Sequence, residues 1–292
     1  MRDFNPYFLR QARIMSNIPF IQIDESRCVR CGMCIRDCFP KLLTTGENML
    51  PTFIPGGAER CFRCQHCMAI CPRGAFSWNG LNPADSYRLG KLPTPEEMAS
   101  LLRARRSVRA YQREDVEPEL FQILRENTRF SPTGCNDHRL FFAYSETRAV
   151  TDSFREMARK KVLEMIESQT LPASIQHFTA LKPALESGAD IFFRNAPHFV
   201  AVAVPPESKD AHIDPYIAAT QFELLAVSLG LGTCWGGMIT DLFHADAEFC
   251  ARLEIPKTHE LKIVLLFGYP SVTYARATQP EECPYVTLKN VD

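Results

Sequence analysis

The sequence predicts an α+β protein built from two separate parts. Eight of the twelve cysteines lie between positions 28 and 71, so the first third of the chain is organised around them. Beyond position 95, short apolar runs alternate with long helical patterns, which is typical of a central sheet flanked by helices. Between the two parts lies a stretch rich in Gly, Pro, Asn and Ser, which indicates a linker.

These features divide the chain into four segments. Residues 1–20 are expected to form an N-terminal extension and residues 21–80 the cysteine-rich domain. Residues 81–94 form the predicted linker, and residues 95–292 form the larger domain. Because the recognisable pattern begins only at Ile21, Met15 is an alternative start to Met1.

The bulk composition is that of an ordinary water-soluble protein. Of the 292 residues, 46% are hydrophobic and 23% are charged, and the formal net charge of −1 gives no reason to expect nucleic acid as a partner. No run of about eighteen apolar residues is present, so we expect no membrane span. The first residues lack the apolar segment and cleavage site of a signal peptide. We therefore expect a cytoplasmic protein.

The clustered cysteines fall into two runs with the same spacing. They read Cys28-x2-Cys31-x2-Cys34-x3-Cys38 and Cys61-x2-Cys64-x2-Cys67-x3-Cys71-Pro72. In such a run three thiolates bind one [4Fe–4S] cluster, and the fourth binds the partner cluster. The spacing therefore predicts two clusters with crossed ligands. The first cluster would be held by Cys28, Cys31, Cys34 and Cys71, and the second by Cys38, Cys61, Cys64 and Cys67.

Other uses of these cysteines fit the sequence less well. Disulfide frameworks belong to exported proteins, and no export signal is present. Zinc sites pair two separated Cys-x2-Cys knuckles, whereas four cysteines within eleven residues do not readily surround one ion. Cys38 is followed by Phe39-Pro40 and not directly by proline, so we expect a different turn after the first run. His66 is expected to be a surface residue and not a ligand.

The two runs resemble the bacterial-type two-cluster ferredoxin domain. The resemblance covers roughly residues 20–80. It implies a domain that carries single electrons and performs no chemistry on substrates. Fused to another domain, such a unit serves as an inlet or an outlet for electrons.

The larger domain opens with a clearly marked helix. Thr94 is the predicted N-cap, Pro95 takes the first helical position, and Glu97 completes a capping box. Residues 168–190 show no clean periodicity and are predicted to form a mobile lid. The other predicted elements are helices near 117–127, 148–168, 213–229 and 241–252, and strands at 140–144, 198–204 and 261–267.

Four short stretches of this domain carry the candidate site. Residues 105–109, Arg-Arg-Ser-Val-Arg, hold three guanidinium groups and a hydroxyl, and guanidinium pairs well with phosphate. Taken alone, such a run is as readily a solvated charged helix end. The other stretches are the polar turn at 131–138, the glycine-rich segment at 230–237, and Gly268-Tyr-Pro270 followed by Arg276.

In this order the four stretches resemble those of the FMN-dependent nitroreductase family, over about residues 95–280. Arg-Arg-Ser-x-Arg is similar to the family's phosphate and ring-edge motif, and the Pro132–Asn136 turn to its Pro-Ser-x-x-Asn segment. Gly-Leu-Gly-Thr-Cys-Trp resembles the strand beneath the isoalloxazine ring. The resemblance implies a nitroreductase-like α+β sandwich and a homodimer with FMN at its interface.

The resemblance also implies roles for individual residues. Arg105, Ser107 and Arg276 would hold the FMN phosphate, with Arg106 near it. Arg109 would lie at the pyrimidine edge, where positive charge stabilises the reduced flavin. Asn136 would hydrogen-bond the ring, and an amide of Gly236 or Gly237 would face the flavin N5. The full expected FMN-binding set is Arg105, Arg106, Ser107, Arg109, Pro132, Thr133, Asn136, Trp235, Gly236, Gly237 and Arg276.

The sequence departs from the family pattern at two places. His138-Arg139-Leu140 replaces the family's Gln-Pro-Trp, and Tyr274 stands where the family has a lysine, two places before Arg276.

For several further residues we expect structural roles and not catalytic ones. Cys135 and Cys234 are expected to be small packing residues and not redox partners, and Trp235 to be core or flavin-wall packing. Cys250 and Cys283 are expected to be inert. Because the flavin performs the chemistry, no side chain is obliged to act as acid or base, although His138 and Tyr111 are candidates. No arrangement suited to hydrolysis is apparent.

Together the two resemblances imply a ferredoxin–nitroreductase fusion. A low-potential donor protein, such as a reduced ferredoxin, would charge the clusters, and electrons would pass to FMN and on to a small electron-poor acceptor. That acceptor would be a nitroaromatic, a quinone, an activated alkene or a free flavin. One alternative is an NAD(P)H-dependent flavin reductase with the clusters as electron outlet. Another is a non-enzymatic electron carrier or redox sensor.

Overall fold

The structure, a computed structural model, describes residues 20–288. The chain divides into two compact units with the boundary between Leu92 and Pro93. That boundary lies inside the segment 81–94 predicted as a linker. Both candidate start residues, and the predicted extension apart from Phe20, lie outside the described residues.

The first unit is made of very short elements. Strand β1 (Ile21–Ile23) pairs antiparallel with β4 (Phe76–Trp78), and β2 (Leu43–Thr45) pairs antiparallel with β3 (Pro51–Phe53). Among the residues of this unit that the structure describes, the α-helices are α1 (Met33–Asp37) and α2 (His66–Ala69). The buried core consists of Leu43, Met68, Phe76 and Trp78, against which Cys34, Cys38, Cys67 and Cys71 pack.

The second unit contains a four-stranded antiparallel sheet in the order β5-β6-β8-β7. The strands are β5 (Phe141–Tyr144), β6 (His198–Val204), β7 (Gly232–Trp235) and β8 (Glu260–Gly268). The helices are α3 (Pro95–Ala104), α4 (Pro118–Thr128), α5 (Arg148–Glu167), α6 (Lys182–Glu186), α7 (Asp214–Ser228), α8 (Gly237–Ala245) and α9 (Ala247–Arg252).

Helices cover both faces of this sheet. Along β6 the side chains alternate between two cores, because successive residues of a strand point to opposite faces. Phe199 and Ala201 belong to the core that includes residues of α5 and α8. Val200 and Val202 belong to the core that includes residues of α4 and α7. The predicted α+β class, with a central sheet between helices, is confirmed.

Most elements of the larger unit lie where the sequence predicts them. The capping box before α3 is present: the Thr94 side chain accepts from the Glu97 N–H at 3.2 Å, and the Glu97 carboxylate accepts from the Thr94 N–H at 2.7 Å. The single helix predicted over 241–252 is wrong. Two helices meet at Asp246, whose side chain accepts from the Glu248 N–H and begins α9.

The predicted lid over 168–190 is also wrong. Residues Ala173–Leu181 form 3₁₀ turns that are interrupted at Ile175, whose φ of −120° is not helical, and that lead directly into α6. Ile175, Phe178 and Leu185 are fully buried in the main core. A 3₁₀-helix has three residues per turn, and here the turns are also interrupted at Ile175, so no α-helical period appears in the sequence. The segment is therefore part of the packed core.

Within the described residues, 20–288, no helix combines the length and the apolar character needed to cross a lipid bilayer.

Candidate functional site

The two cysteine runs adopt the same backbone geometry. In each run the residue before the second cysteine and the residue after it have positive φ: Arg30 (52°) and Gly32 (68°), then Arg63 (57°) and Gln65 (58°). Such left-handed residues curl a short loop and turn its amides towards an anionic group. The repeat in the sequence is therefore a repeat in conformation.

The last cysteine of each run accepts an amide hydrogen bond four residues downstream. Cys38 Sγ accepts from the Leu42 N–H at 3.4 Å, and Cys71 Sγ accepts from the Ala75 N–H at 3.2 Å. Hydrogen bonds to ligand sulfur are one of the factors that set the reduction potential of an iron–sulfur cluster.

The turns after the two runs are alike, so the predicted difference is wrong. Lys41 N–H donates to the Cys38 carbonyl at 2.9 Å, and Gly74 N–H donates to the Cys71 carbonyl at 3.1 Å. Lys41 adopts φ 54°, close to the 56° of Gly74, although it carries a side chain. The extra Phe39 before proline is accommodated at the surface, where it is 85% exposed.

Sulfur atoms from both runs meet in two groups. Burial raises the pKa of the Cys34 thiol, and the neighbouring Cys71 and Cys31 raise it further. Burial likewise raises the pKa of the Cys67 thiol to about 12, and three neighbouring thiols add to that rise, those of Cys64, Cys61 and Cys38. Each group contains one member of the other run. This is the grouping on which the crossed assignment depends; cluster ligation itself stays a prediction.

The first group surrounds a single cavity, whose lining includes Cys28, Cys31, Cys34 and Cys71. Its charged lining residues are Arg30 and Arg73. Within residues 20–288 no three His, Cys, Asp or Glu side chains converge on one metal-ion position. A donor set of four separated thiols fits a four-iron cluster, because each thiolate binds a different iron atom.

His66 lies at the surface as expected. Its side chain is 66% exposed, and Nδ1 lies 3.3 Å from the Asp37 carboxylate.

In the larger unit, three of the four candidate stretches adjoin one another. Ser107 forms an isolated parallel bridge with Thr233, and the Val108 N–H donates to the Thr233 carbonyl at 2.7 Å. Tyr111 forms an antiparallel bridge with Pro270. The approach needs glycine at position 232, since a Cβ there would lie 2.7 Å from the Val108 side chain. The arginine-rich segment thus runs along the edge of the sheet beside β7.

The fourth stretch, the turn at 131–138, is hydrogen-bonded to α7. The Gly134 N–H donates to both carboxylate oxygens of Asp214, at 3.1 and 3.2 Å, and burial raises the pKa of Asp214. Cys135 and Asn136 are left-handed, with φ of 53° and 60°. Cys135 is exposed by this turn, so its predicted packing role is wrong. Cys234, in contrast, is buried in the core as expected.

His138 and Tyr111, the two candidate proton donors, have different environments. His138 Nε2 lies 2.8 Å from Asn136 Oδ1, and burial lowers the His138 pKa against the opposing effect of Asp137 and Asp214. The Tyr111 hydroxyl donates to the Val108 carbonyl at 2.8 Å, and burial raises its pKa. Tyr111 is therefore committed to a structural bond, whereas His138 lies beside the residue expected to face the flavin ring.

The residues expected at the FMN phosphate separate into two places. Arg106 and Arg276 line one cavity, together with Arg103 and Tyr274. The Arg106 guanidinium lies over the Tyr274 ring, 4.0 Å from its centroid, so the tyrosine that replaces the family's lysine stacks on an arginine. Arg105 and Ser107 are not among the residues that line this cavity.

Arg105 instead faces Glu223, a residue that the sequence reasoning missed. Glu223 is 2% exposed, and its two carboxyl oxygens lie 3.5 Å from Arg105 Nη1. Thr233 Oγ1 donates to one oxygen at 3.0 Å, and Trp235 Nε1 donates to the other at 3.1 Å. The available signal was a charged residue in the interior of the helix that precedes the glycine-rich segment, whose other charged residue, Asp214, stands at its first position.

The glycines after β7 are not equivalent. The Gly236 N–H donates to the Val264 carbonyl at 2.8 Å, and a Cβ on Gly236 would lie 2.5 Å from the Ile239 side chain. Gly237 is the first residue of α8 and has open space around a hypothetical Cβ. Because the first amides of a helix have no partner within the helix, Gly237 is the better candidate to face a flavin.

Trp235 lies next to these glycines and packs against an aromatic ring. It stacks on Tyr216, with the ring planes 5° apart and the centroids at 6.4 Å. This stacking agrees with the packing role expected for Trp235.

Comparisons with known proteins cover both units. The sequence model described as "Nitroreductase family" matches residues 102–269, and the model described as "4Fe-4S dicluster domain" matches residues 17–76. A ferredoxin of Pyrobaculum islandicum is 32% identical over 83 residues, which are 26% of this chain and 75% of that protein. An uncharacterized protein of Methanocaldococcus jannaschii is 32% identical over 59 residues, 20% of this chain, and the chain spans only 21% of its length.

A solved structure similar to the larger unit is a nitroreductase with bound FMN from Bacteroides fragilis. It is 22% identical, with a TM-score of 0.52, and the match covers 66% of this chain and 99% of that one. At this identity the similarity shows a shared fold.

Proposed function

We propose that this chain, which belongs to the nitroreductase family and carries a ferredoxin-type 4Fe-4S dicluster domain, moves electrons from a protein donor to a small acceptor. Single electrons would enter at the first unit and leave in pairs at the flavin site of the second. The observation that carries the proposal is the crossed grouping of the eight thiols within a chain that also belongs to the nitroreductase family.

The chain is an FMN- and iron–sulfur-dependent oxidoreductase. We propose two [4Fe–4S] clusters and one FMN per chain. The two runs support this number because they repeat the same left-handed residues, the same N–H to sulfur bonds and the same closing turns. FMN, when bound, takes up electrons singly and passes them on in pairs.

The proposed flavin site uses side chains from four stretches. Arg106 and Arg276 share a cavity that offers guanidinium donors to a phosphate, with Arg105 and Ser107 on the adjoining segment. Arg109 would act at the pyrimidine edge, and the Pro132–Asn136 turn would bind the ring edge. Trp235 and the Gly237 amide would line the flavin.

A protein donor is supported by the surface of the first cavity. Val29 and Met49 line this cavity and are 59% and 64% exposed. The charged residues of the same lining, Arg30 and Arg73, are both exposed and both positive. Exposed apolar side chains beside two arginines suit a transient contact with an acidic one-electron carrier, such as a reduced ferredoxin.

The acceptor is proposed to be a small electron-poor molecule: a nitroaromatic, a quinone, an activated alkene or a free flavin. Two donor molecules are oxidised for each acceptor that takes up two electrons, and the accompanying protons come from solvent. His138 is proposed to pass a proton, since its ring lies at the Asn136 turn.

We also propose a homodimer in which residues of both chains line each flavin. Sedimentation of the FMN-loaded protein tests this directly. A dimer mass is expected, and a monomer that retains FMN and full turnover would contradict it.

The test of the proposed function is anaerobic purification followed by reduction. About eight irons and eight sulfides per chain are expected, with one FMN. Stopped-flow mixing should show faster flavin bleaching by reduced ferredoxin than by NADPH. Faster bleaching by NADPH would favour the flavin reductase alternative. A flavin that is reduced but turns over with no acceptor from a panel of the four classes would favour the carrier or sensor alternative.

A further inference from the structure

The buried carboxylate of Glu223 has no role in the flavin site as proposed so far. It lies on α7, is 2% exposed, and receives three donors from two other segments: Arg105 after α3, and Thr233 and Trp235 on β7. One carboxyl oxygen accepts from Thr233 and the other from Trp235, and both face Arg105 Nη1. A charged group buried this deeply is costly unless it is paired and hydrogen-bonded.

Two of these donors are neutral, and Arg105 supplies the positive charge. Nη1 of Arg105 lies 3.5 Å from both oxygens, while the Arg105 side chain as a whole is 41% exposed. The Nη1 end of the guanidinium is thus turned inward to Glu223, while the side chain keeps an exposed part that a ligand can reach. Guanidinium presents five donors in a fixed plane, so fixing one edge fixes the direction of the others.

The same carboxylate fixes the strand that forms the flavin wall. Its bonds to Thr233 and Trp235 join α7 to β7 two residues apart, on one face of the strand. Thr233 in turn bridges to Ser107, which stands two positions after Arg105. Glu223 therefore links the phosphate-type motif to the wall residue through direct contacts.

We infer that Glu223 is a positioning residue that aims Arg105 at the flavin phosphate and thereby makes the site select FMN over riboflavin. The inference rests on the proposed function, since it requires a flavin site in this unit. A purely structural role is the competing account. Glu223 would then only join α7 to β7, and its loss would weaken the binding of FMN and riboflavin equally.

The two accounts separate when FMN and riboflavin are compared, because the two ligands differ only in the phosphate. The change is Glu223→Gln, which keeps the size and one acceptor but removes the charge. FMN affinity of the flavin-free full-length protein is expected to fall on the order of tenfold, as for the loss of a charged hydrogen bond. Riboflavin affinity is expected to change less than about twofold. Flavin fluorescence quenching gives both values without any turnover.

Arg105→Ala and the double variant complete the test. If Glu223 acts through Arg105, the double variant should bind FMN no worse than Arg105→Ala, since coupled residues give non-additive losses. Glu164→Gln, an exposed site on α5, is the matched control and should bind as the unchanged protein does. If Glu223→Gln does not fold, Glu223→Asp keeps the charge but shortens its reach and should show the same selective loss of FMN.

The outcomes are distinct. Equal losses of FMN and riboflavin, or an unchanged preference for FMN in a folded Glu223 variant, would overturn the inference and leave the proposed function standing. Failure of the unchanged protein to bind either flavin would overturn the proposed function itself.

Discussion

The two units of the chain differ in what builds their sites. In the first unit, three-residue strands and helices of four and five residues surround a buried core of four side chains. In the second, a sheet with helices on both faces forms two large cores. The first unit is too small to be held by its apolar core alone, so its cofactors are expected to hold it together. The second contains enough apolar packing to fold before it binds a cofactor.

The comparison also explains why one site is easier to find in a sequence than the other. All eight thiols of the first unit lie in two contiguous runs, so spacing alone predicts the ligand sets. The proposed flavin site draws on segments more than a hundred residues apart, which the sheet and α7 bring together. Its residues follow from a family resemblance and from tertiary contacts.

The largest effect should come from breaking the crossed thiol groups. Cys71→Ala removes a ligand of the first cluster from the second run, and both runs are expected to lose order because metal binding and folding are coupled. Iron should fall from about eight to below about four per chain. Limited proteolysis should then cut within residues 21–80 while residues 95–280 resist.

The exposed Cys135 provides the control for this experiment. Cys135→Ala should keep the full iron content. If the Cys71→Ala protein retained all its iron, or unfolded throughout, the expected difference between a cofactor-dependent first unit and a core-stabilised second unit would be contradicted.

A smaller effect is expected at the surface of the first cavity. Arg73→Glu should slow flavin reduction by an acidic ferredoxin on the order of tenfold at low salt, because like charges oppose the encounter. The difference should shrink as ionic strength rises. Reduction by dithionite, which needs no docking, should be unchanged. Stopped-flow spectroscopy measures both rates.

The matched variant is Arg88→Glu, which makes the same charge change at an exposed position in the linker segment. It should reduce the ferredoxin rate far less than Arg73→Glu. Equal effects from both variants would mean that net charge, and not this surface, governs the encounter.

The smallest effect concerns the pH dependence of the second unit. His198 is fully buried, its Nε2 accepts from the Val116 N–H at 2.9 Å, and Nδ1 donates to the Ser145 carbonyl at 3.0 Å. Burial lowers the His198 pKa, although the Ser145 carbonyl and Asp115 act in the opposite direction. Below about pH 6.5 the unfolded chain therefore binds a proton that the folded chain does not.

The free energy of unfolding should consequently fall with pH below about 6.5, by at most about 1.4 kcal/mol per pH unit. Urea titrations followed by circular dichroism measure it, since most helical residues belong to the second unit. His198→Gln should lower stability at pH 7 and flatten this slope, whereas the exposed His212→Gln should leave it unchanged. A slope that His198→Gln does not alter would refute the assignment.

Local signals in the sequence were sufficient for most of the fold. The Thr94 cap, the helix before the glycine-rich segment and the apolar runs of β6 and β8 lie where their patterns place them. Two predictions failed for a physical reason. The segment at 173–181 consists of 3₁₀ turns interrupted at Ile175, and the break at Asp246 is a cap inside an otherwise continuous pattern.

Within the site, the limit was long-range contact. Spacing could not indicate that Arg105 is engaged by Glu223, or that the Gly236 amide is taken by Val264, because both partners come from other elements. It also could not indicate that Lys41 would adopt the backbone of Gly74 and make the two turns alike. These facts depend on tertiary structure and not on local pattern.

The central claim is that electrons reach the flavin through the iron–sulfur unit of the same molecule or its dimer. The most direct measurement is single-turnover flavin reduction by reduced ferredoxin, comparing the full-length protein with Cys71→Ala loaded with FMN. The account predicts rapid bleaching of the flavin in the unchanged protein and a loss of at least about a hundredfold in the variant, with dithionite reducing both flavins. Equal rates of reduction by ferredoxin in the two proteins would contradict it.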